Sequence, residues 1–367
     1  MDRKAAMTWI VSVVCACCLR LSQAKTLSQL VAAAMDCRRI SLASLGRSLP
    51  GITKHQIKKA WRFCANSRIE TAYAMRGVLR QVFASKEKKP LLSALDWTDI
   101  KGYQTLMAAL VVKGRAVPVC WASCLSHTYD GHRSRNAFEE SLLLALRTML
   151  PEGKRVILLA DRGFGRTELA RFCQQYHFAY VIRIQPDVYV NGSSYTGKLV
   201  DYPVYKGICR LLKNLAYRAE RPVMQNVVIR WVRGLPAKRD ECWFLMSDLV
   251  GGPAQISKLY GKRMAIEEFF RDLKNKRNGW SLRDTQISRS DRLNRMLLIL
   301  ALACILLSGI GLKALGCCSP NQWNAASKNQ CSIFLIGLLM RTKINCSPDV
   351  ALRRLLTAAQ NAAPNWG

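Results

Sequence analysis

Acidic residues are scarce in this sequence: 24 Asp plus Glu in 367 residues, against 56 Lys plus Arg, for a formal net charge of +32. A mixed-sign surface keeps a protein soluble without such an excess. The imbalance therefore points to a polyanionic partner, and nucleic acid is the commonest of these. Each phosphate neutralised releases counterions, so such binding weakens steeply with salt. Histidine is also scarce, with four residues. The one CxxC, Cys15 to Cys18, has neither a second pair nor a nearby His set, and zinc needs about four ligands. No internal repeat, low-complexity tract or coiled-coil heptad is present. Half of the chain is hydrophobic, which excludes a disordered basic tail and allows a sizeable core.

The 15 cysteines are scattered through apolar stretches (Cys64, Cys173, Cys209, Cys304). There a free thiol behaves as a small core residue, and a reducing cytoplasm is expected. Two segments imitate membrane signals. Residues 1–24 have a basic start, an apolar run from Ala5 to Leu19 and small residues at Ser22 and Ala24, as a leader peptide would. The helical spacing of Leu27, Leu30, Val31 and Ala34 carries on from them, however, and favours an intact helical domain. Met296–Leu312 is nearly free of polar side chains and borders on spanning length. With Arg289, Arg292 and Arg295 before it and Lys313 after it, it reads as a buried core helix.

Helical spacing predicts helices at Thr26–Met35, Ser41–Leu45, Thr53–Asn66 and Thr71–Val82. Over residues 1–90, Lys plus Arg number 17 and Asp plus Glu number 4. The helix from Thr53 carries Lys58, Lys59 and Arg62, side chains suited to gripping DNA phosphates while a helix lies in the major groove. A hydrophilic connector, Ser85 to Pro90, ends this region, and residues 1–86 are expected to form a helical DNA-binding domain.

Beyond the connector the pattern alternates. Strands are expected at Leu91–Ile100, Tyr103–Lys113 and Arg115–Leu125, then a helix at Asn136–Leu150. A buried strand at Arg155–Ala160, a helix at Thr167–His177 and a strand at Phe178–Ile184 follow. That order is similar to an RNase H-like fold. The expected class is thus α/β, with a mixed five-stranded sheet flanked by helices across residues 87–186 and 253–315. Residues 187–252 read as a β-rich insertion with a hairpin signal at Asn191-Gly192. Residues 316–367 read as a C-terminal helical tail.

Breaking a phosphodiester needs an activated water and a stabilised leaving oxygen. Two divalent ions about 4 Å apart serve both ends when acids converge on them from separate elements. Asp96 lies near the end of a strand on the face of Leu92 and Ala94, an expensive place for a carboxylate without a partner. Asp161 ends a buried strand just before a glycine turn, where α/β sheets place functional groups, although turn-capping aspartates are common there too. Glu267 belongs to Tyr260-x2-Arg263-x3-Glu267-x6-Lys274, and at roughly 100° per residue one helix would hold these four within about 60° of arc. Leu259, Ile266, Phe270 and Leu273 remain for packing, and Glu268 points about 100° away from the stripe. By itself the stripe would equally suit a surface helix with charge pairs.

The complete Tyr-x2-Arg-x3-Glu-x6-Lys pattern resembles the signature of the IS4-type insertion-sequence transposases. Asp-x-Thr at Asp96 and Thr98, and Asp-Arg-Gly-Phe at Asp161–Phe164, resemble that family's other acidic motifs in the same order. The resemblance covers about residues 25–315, and no departure touches the three acids. It implies a DDE enzyme that cleaves insertion-sequence ends and transfers them into target DNA. Asp96, Asp161 and Glu267 would bind two Mg²⁺ ions, with Mn²⁺ as the alternative metal. Tyr260, Arg263 and Lys274 would hold phosphates of the transposon end, a task that suits the arginine fork. The implied partners are double-stranded DNA, as terminal inverted repeats and target, and a second copy of the chain on paired ends. The implied location is the bacterial cytoplasm at the nucleoid, with no membrane. Some relatives flip a base during cleavage, and Trp231, Trp243 or Trp280 could stack it, although core packing is the commoner fate of tryptophan. A nuclease of the same fold without strand transfer, a non-catalytic DNA-binding relic and a membrane protein are the competing readings.

Overall fold

The computed structural model describes residues 1–15, 19–82, 89–125, 134–218, 221–234, 241–276, 279–282, 285–324 and 331–363. Cys18 of the CxxC, and connector residues 85–88, lie outside them. By Cα packing the chain divides into two units. One takes Met1–Glu87, Trp97–Gly153 and Ala265–Ala362, and the other takes Lys88–Asp96, Lys154–Met264 and Ala363–Gly367.

The alternating stretches form β1 (Leu91–Ile100), β2 (Tyr103–Val111) and β3 (Ala116–Leu125). Lys101 and Gly102 link the first two with φ of 56° and 81°. Positive φ at both loop residues matches the right-handed twist of a two-residue hairpin. In the second unit β4 (Val156–Ala160) and β5 (Phe178–Arg183) continue the sheet, with α7 (Thr167–Gln175) between them in sequence. The segment after β5 forms β6 (Tyr189–Gly192), β7 (Tyr195–Lys198), β8 (Cys209–Tyr217), β9 (Val223–Val232) and β10 (Glu241–Ser247). The β6–β7 hairpin turns at Ser193-Ser194, while Asn191 and Gly192 pair as strand residues.

The expected five strands are instead ten, in the order β3-β2-β1-β4-β5-β10-β9-β8-β6-β7. The reason is edge pairing. β10 returns antiparallel along β5, with Met246 opposite Ile182, so the inserted strands extend the sheet. An unpaired strand edge carries unsatisfied N–H and C=O groups, and β10 satisfies them. α8 (Pro253–Gly261) packs against β5, β8 and β9.

The first unit is mainly helical. α1 (Arg3–Cys15) lies on α2 (Leu21–Asp36) and buries Ala6, Trp9, Ile10, Val13 and Val14. α3 (Leu42–Arg47), capped by the Ser41 hydroxyl, and α4 (Thr53–Ala65) follow, then α5 (Thr71–Val82) and α6 (Arg135–Met149). α9 (Met264–Lys274) precedes α10 (Ser290–Cys317), which packs against α11 (Ile333–Met340), α12 (Pro348–Ala362), α2 and β3. α10 is long and apolar enough to cross a membrane, yet 89% of its most apolar window is buried inside the protein. It is a core helix. Arg295 on it is 6% exposed and donates to the carbonyls of Cys64 (2.6 Å) and Ile69 (3.3 Å). Among the described residues every cysteine is a free thiol, and burial pushes Cys64, Cys120 and Cys304 up to about 12.

Candidate active site

Asp96 lies inside β1, and Asp161 follows the last residue of the neighbouring β4. β1 and β4 run parallel with Leu95 opposite Ala160, and each aspartate is the next residue along the chain. Asp161 keeps extended backbone (φ −78°, ψ −178°), so the alternation of faces continues through it. The two residues thus share one face of neighbouring strands, whose backbones lie about 5 Å apart. The Asp-Arg-Gly-Phe motif explains how Asp161 is held. A 3₁₀ turn at Arg162–Phe164 lets Gly163 N–H donate to Asp161 Oδ1 at 2.9 Å, and Phe164, 1% exposed, anchors the turn in the core. Tyr217 on β8 donates to the Gly165 carbonyl at 2.8 Å.

Asp96 is held by charge: Arg263 Nη1 lies 3.2 Å from its Oδ2. Arg263 does not share one helix with the rest of its motif. Lys262 N and Arg263 N bond back to Leu259 O and Tyr260 O at 2.9 Å, a tight turn that ends α8 before α9 begins. The single four-residue stripe is therefore broken between Tyr260 and Glu267. Tyr260, 4% exposed, meets Trp243 edge to face (centroids 5.0 Å), and burial pushes its phenol above the usual range. The Arg263 guanidinium carbon stands 6.0 Å from the Tyr260 ring. A supporting group here was not visible in the sequence. Glu241 accepts from Trp243 Nε1 (2.6 Å) and Arg183 Nη2 (2.8 Å) across β10 and β5. No short-range spacing links positions 58 residues apart, so Arg183 had no signal.

Glu267 and Lys274 lie two turns apart on α9, on one stripe. Lys274 Nζ donates to Thr98 Oγ1 at 2.5 Å, and Thr98 shares the β1 face that carries Asp96. Both residues border a shallow groove of about 380 Å³ with Phe270, Arg271 and Asn275. Ile266, Phe270 and Leu273 pack as expected, with Ala265 and Phe269. Glu268 is engaged elsewhere, with Arg115 (3.6 Å) and Arg271 (2.5 Å).

Residues 87–307, more than half of the chain, match the family model for the transposase DDE domain. The chain belongs to that family. No curated protein matches it. The family makes it a transposase, an enzyme of nucleotidyl-transfer type with a DNA substrate and an RNase H-like fold.

DDE transposases use divalent metal ions. Two neighbouring carboxylates are hard oxygen donors of the kind Mg²⁺ takes, and that chemistry fits. Among the described residues, no three His, Cys, Asp or Glu side chains form a group that could hold a metal ion. Asp96 and Asp161 are brought together within one unit, and Glu267 belongs to the other. Of the transposase's candidate stacking residues, Trp280 is fully buried against Phe334 (4.7 Å), a core position, whereas Trp231 and Trp243 are half-buried. On α4 the three cations divide. Lys58 is exposed, while Lys59, hydrogen-bonded to Gln29, and Arg62 line a 640 Å³ groove with Gln23, Thr26, His55 and Asn66.

Proposed function

We propose that this transposase is of the IS4 type, cuts DNA at insertion-sequence ends and joins those ends to target DNA. Asp96, Asp161 and Glu267 would hold two Mg²⁺ ions. When bound, such ions activate the attacking oxygen and stabilise the departing one. The observation that carries the reading is the parallel register of β1 and β4, with Leu95 opposite Ala160 and Asp96 and Asp161 the next residue of each. The Lys274–Thr98 hydrogen bond supports Glu267 as the third acid. Glu267 shares a helix stripe with Lys274, and Lys274 reaches Thr98 of the Asp-x-Thr motif.

The protein's own groups supply the rest. Asp96 and Asp161 present fixed oxygens with little freedom to lose on binding. Arg263, supported by the Tyr260 ring, offers its fork to phosphate oxygens of the transposon end. Lys58, Lys59 and Arg62 hold the DNA backbone away from the chemistry. Two copies of the chain grip the paired ends.

The test is a joining assay with labelled duplex bearing the element's own ends and a target plasmid, with and without Mg²⁺. Metal-dependent cuts at the ends together with joined products are expected. Cuts without joined products would reduce the protein to a nuclease. DNA binding without cutting in either Mg²⁺ or Mn²⁺ would make it a relic.

A further inference from the structure

Side chains alternate across a strand, so Trp97 leaves β1 on the face opposite Asp96. There α6 encloses it. Trp97 Nε1 donates to Glu139 Oε1 at 2.8 Å, and the Phe138 ring stacks on the indole (centroids 5.5 Å, 29° apart). The Arg135 guanidinium carbon stands 5.0 Å over the same indole. Arg135 Nε also donates to Glu139 Oε1 at 3.2 Å. The Glu139 side chain is only 1% exposed. A buried carboxylate is costly unless it is paired and hydrogen-bonded, and an apolar residue often fills such a site at no loss of stability. Glu139, paired with Arg135 and hydrogen-bonded to Trp97, still carries a desolvation cost that an apolar residue would avoid, and the indole it holds belongs to the residue next to Asp96.

We propose that Glu139 is a positioning residue that fixes the direction of the Asp96 carboxylate through Trp97. An indole held by a hydrogen bond at its edge and a stack on its face cannot change rotamer. With Trp97 so held, twist of β1 about its axis at this point is resisted, and twist is the motion that would swing Asp96 on the other face. Groups that orient a metal ligand from outside typically change metal affinity 10–100-fold when removed. The inference rests on the reading of Asp96 as a metal ligand.

Mn²⁺ binding to the purified full chain, measured by titration calorimetry, tests it without DNA or turnover. Glu139→Leu should weaken Mn²⁺ binding about tenfold. Trp97→Phe keeps the ring on Phe138 but has no N–H to donate, and should weaken binding to a similar degree. Glu139→Gln keeps an acceptor for the indole and should bind like the wild type. Should Glu139→Leu fail to fold, the other two variants still decide. Wild-type affinity in Trp97→Phe, or a loss in Glu139→Gln equal to that in Trp97→Phe, would overturn the positioning role alone. If the wild type and Asp96→Asn bind Mn²⁺ alike, the metal reading of Asp96 falls and takes this inference with it.

Discussion

On the neighbouring strands β1 and β4, Asp96 inside the first and Asp161 just after the second are met by Arg263 and by the Gly163 N–H. Where α10 meets α11, the helix backbones close on each other instead. A Cβ on Gly311 would overlap the Ile333 carbonyl, and one on Gly337 would overlap that of Leu307. The first region keeps polar groups in place at a cost in stability, since like charges on adjacent strands repel. The second contributes stability by excluding everything but packed chain. Damage to one should therefore cost chemistry without fold, and damage to the other fold without chemistry.

The largest expected effect is at Asp161. Asparagine keeps the shape and an oxygen to accept from Gly163, but removes the charge. Asp161→Asn should lower the end-cleavage rate roughly 10³-fold, about 4 kcal/mol of barrier. Its stability should stay within about 0.5 kcal/mol of the wild type, as for a substitution that breaks no packing. A variant that unfolds, or one that still cuts, would erase the contrast between the regions. Gly337→Val is the converse. The side chain has no room against α10, so stability should fall by about 3 kcal/mol, read from a lower denaturant midpoint. At temperatures where it remains folded, its cleavage rate per molecule should match the wild type.

What the sequence discloses follows from how local each cause is. Strands β1 to β5 are readable because alternation and continuous apolar runs are properties of neighbouring residues. The motifs that carry Asp96, Asp161 and Glu267 are readable because they are short. The register that sets Asp96 beside Asp161 is not readable, since it joins positions 65 residues apart through strand pairing. The ten-stranded sheet is hidden for the same reason: a β-rich insertion is visible from its residues, but the edge it pairs with is not. The turn between α8 and α9 was missed because charged residues keep helical spacing through it. Gly261 gives little warning, because a single glycine is tolerated inside a helix. Trp97 and Glu139 meet across 42 positions, and no motif contains both.

Asp272 sharpens the comparison from within α9 itself. It sits on the helix of Glu267, yet its side chain is 13% exposed and faces Arg115, whose Nε lies 3.1 Å away. Burial pushes its carboxyl up to about 6, and Arg115 only partly offsets this. A folded pKa above the unfolded value of about 4 means that folding favours the protonated form. That contribution is complete below pH 4 and is lost as the pH rises through 6. The wild type should therefore lose about 2 kcal/mol relative to Asp272→Asn between pH 4 and pH 7, a figure reduced for partial solvent screening. Denaturant midpoints of the two chains across that range measure it. Asparagine can still accept from Arg115, so the cleavage rate at pH 7 should change little. A parallel pH course in both chains would show that this carboxyl is charged throughout.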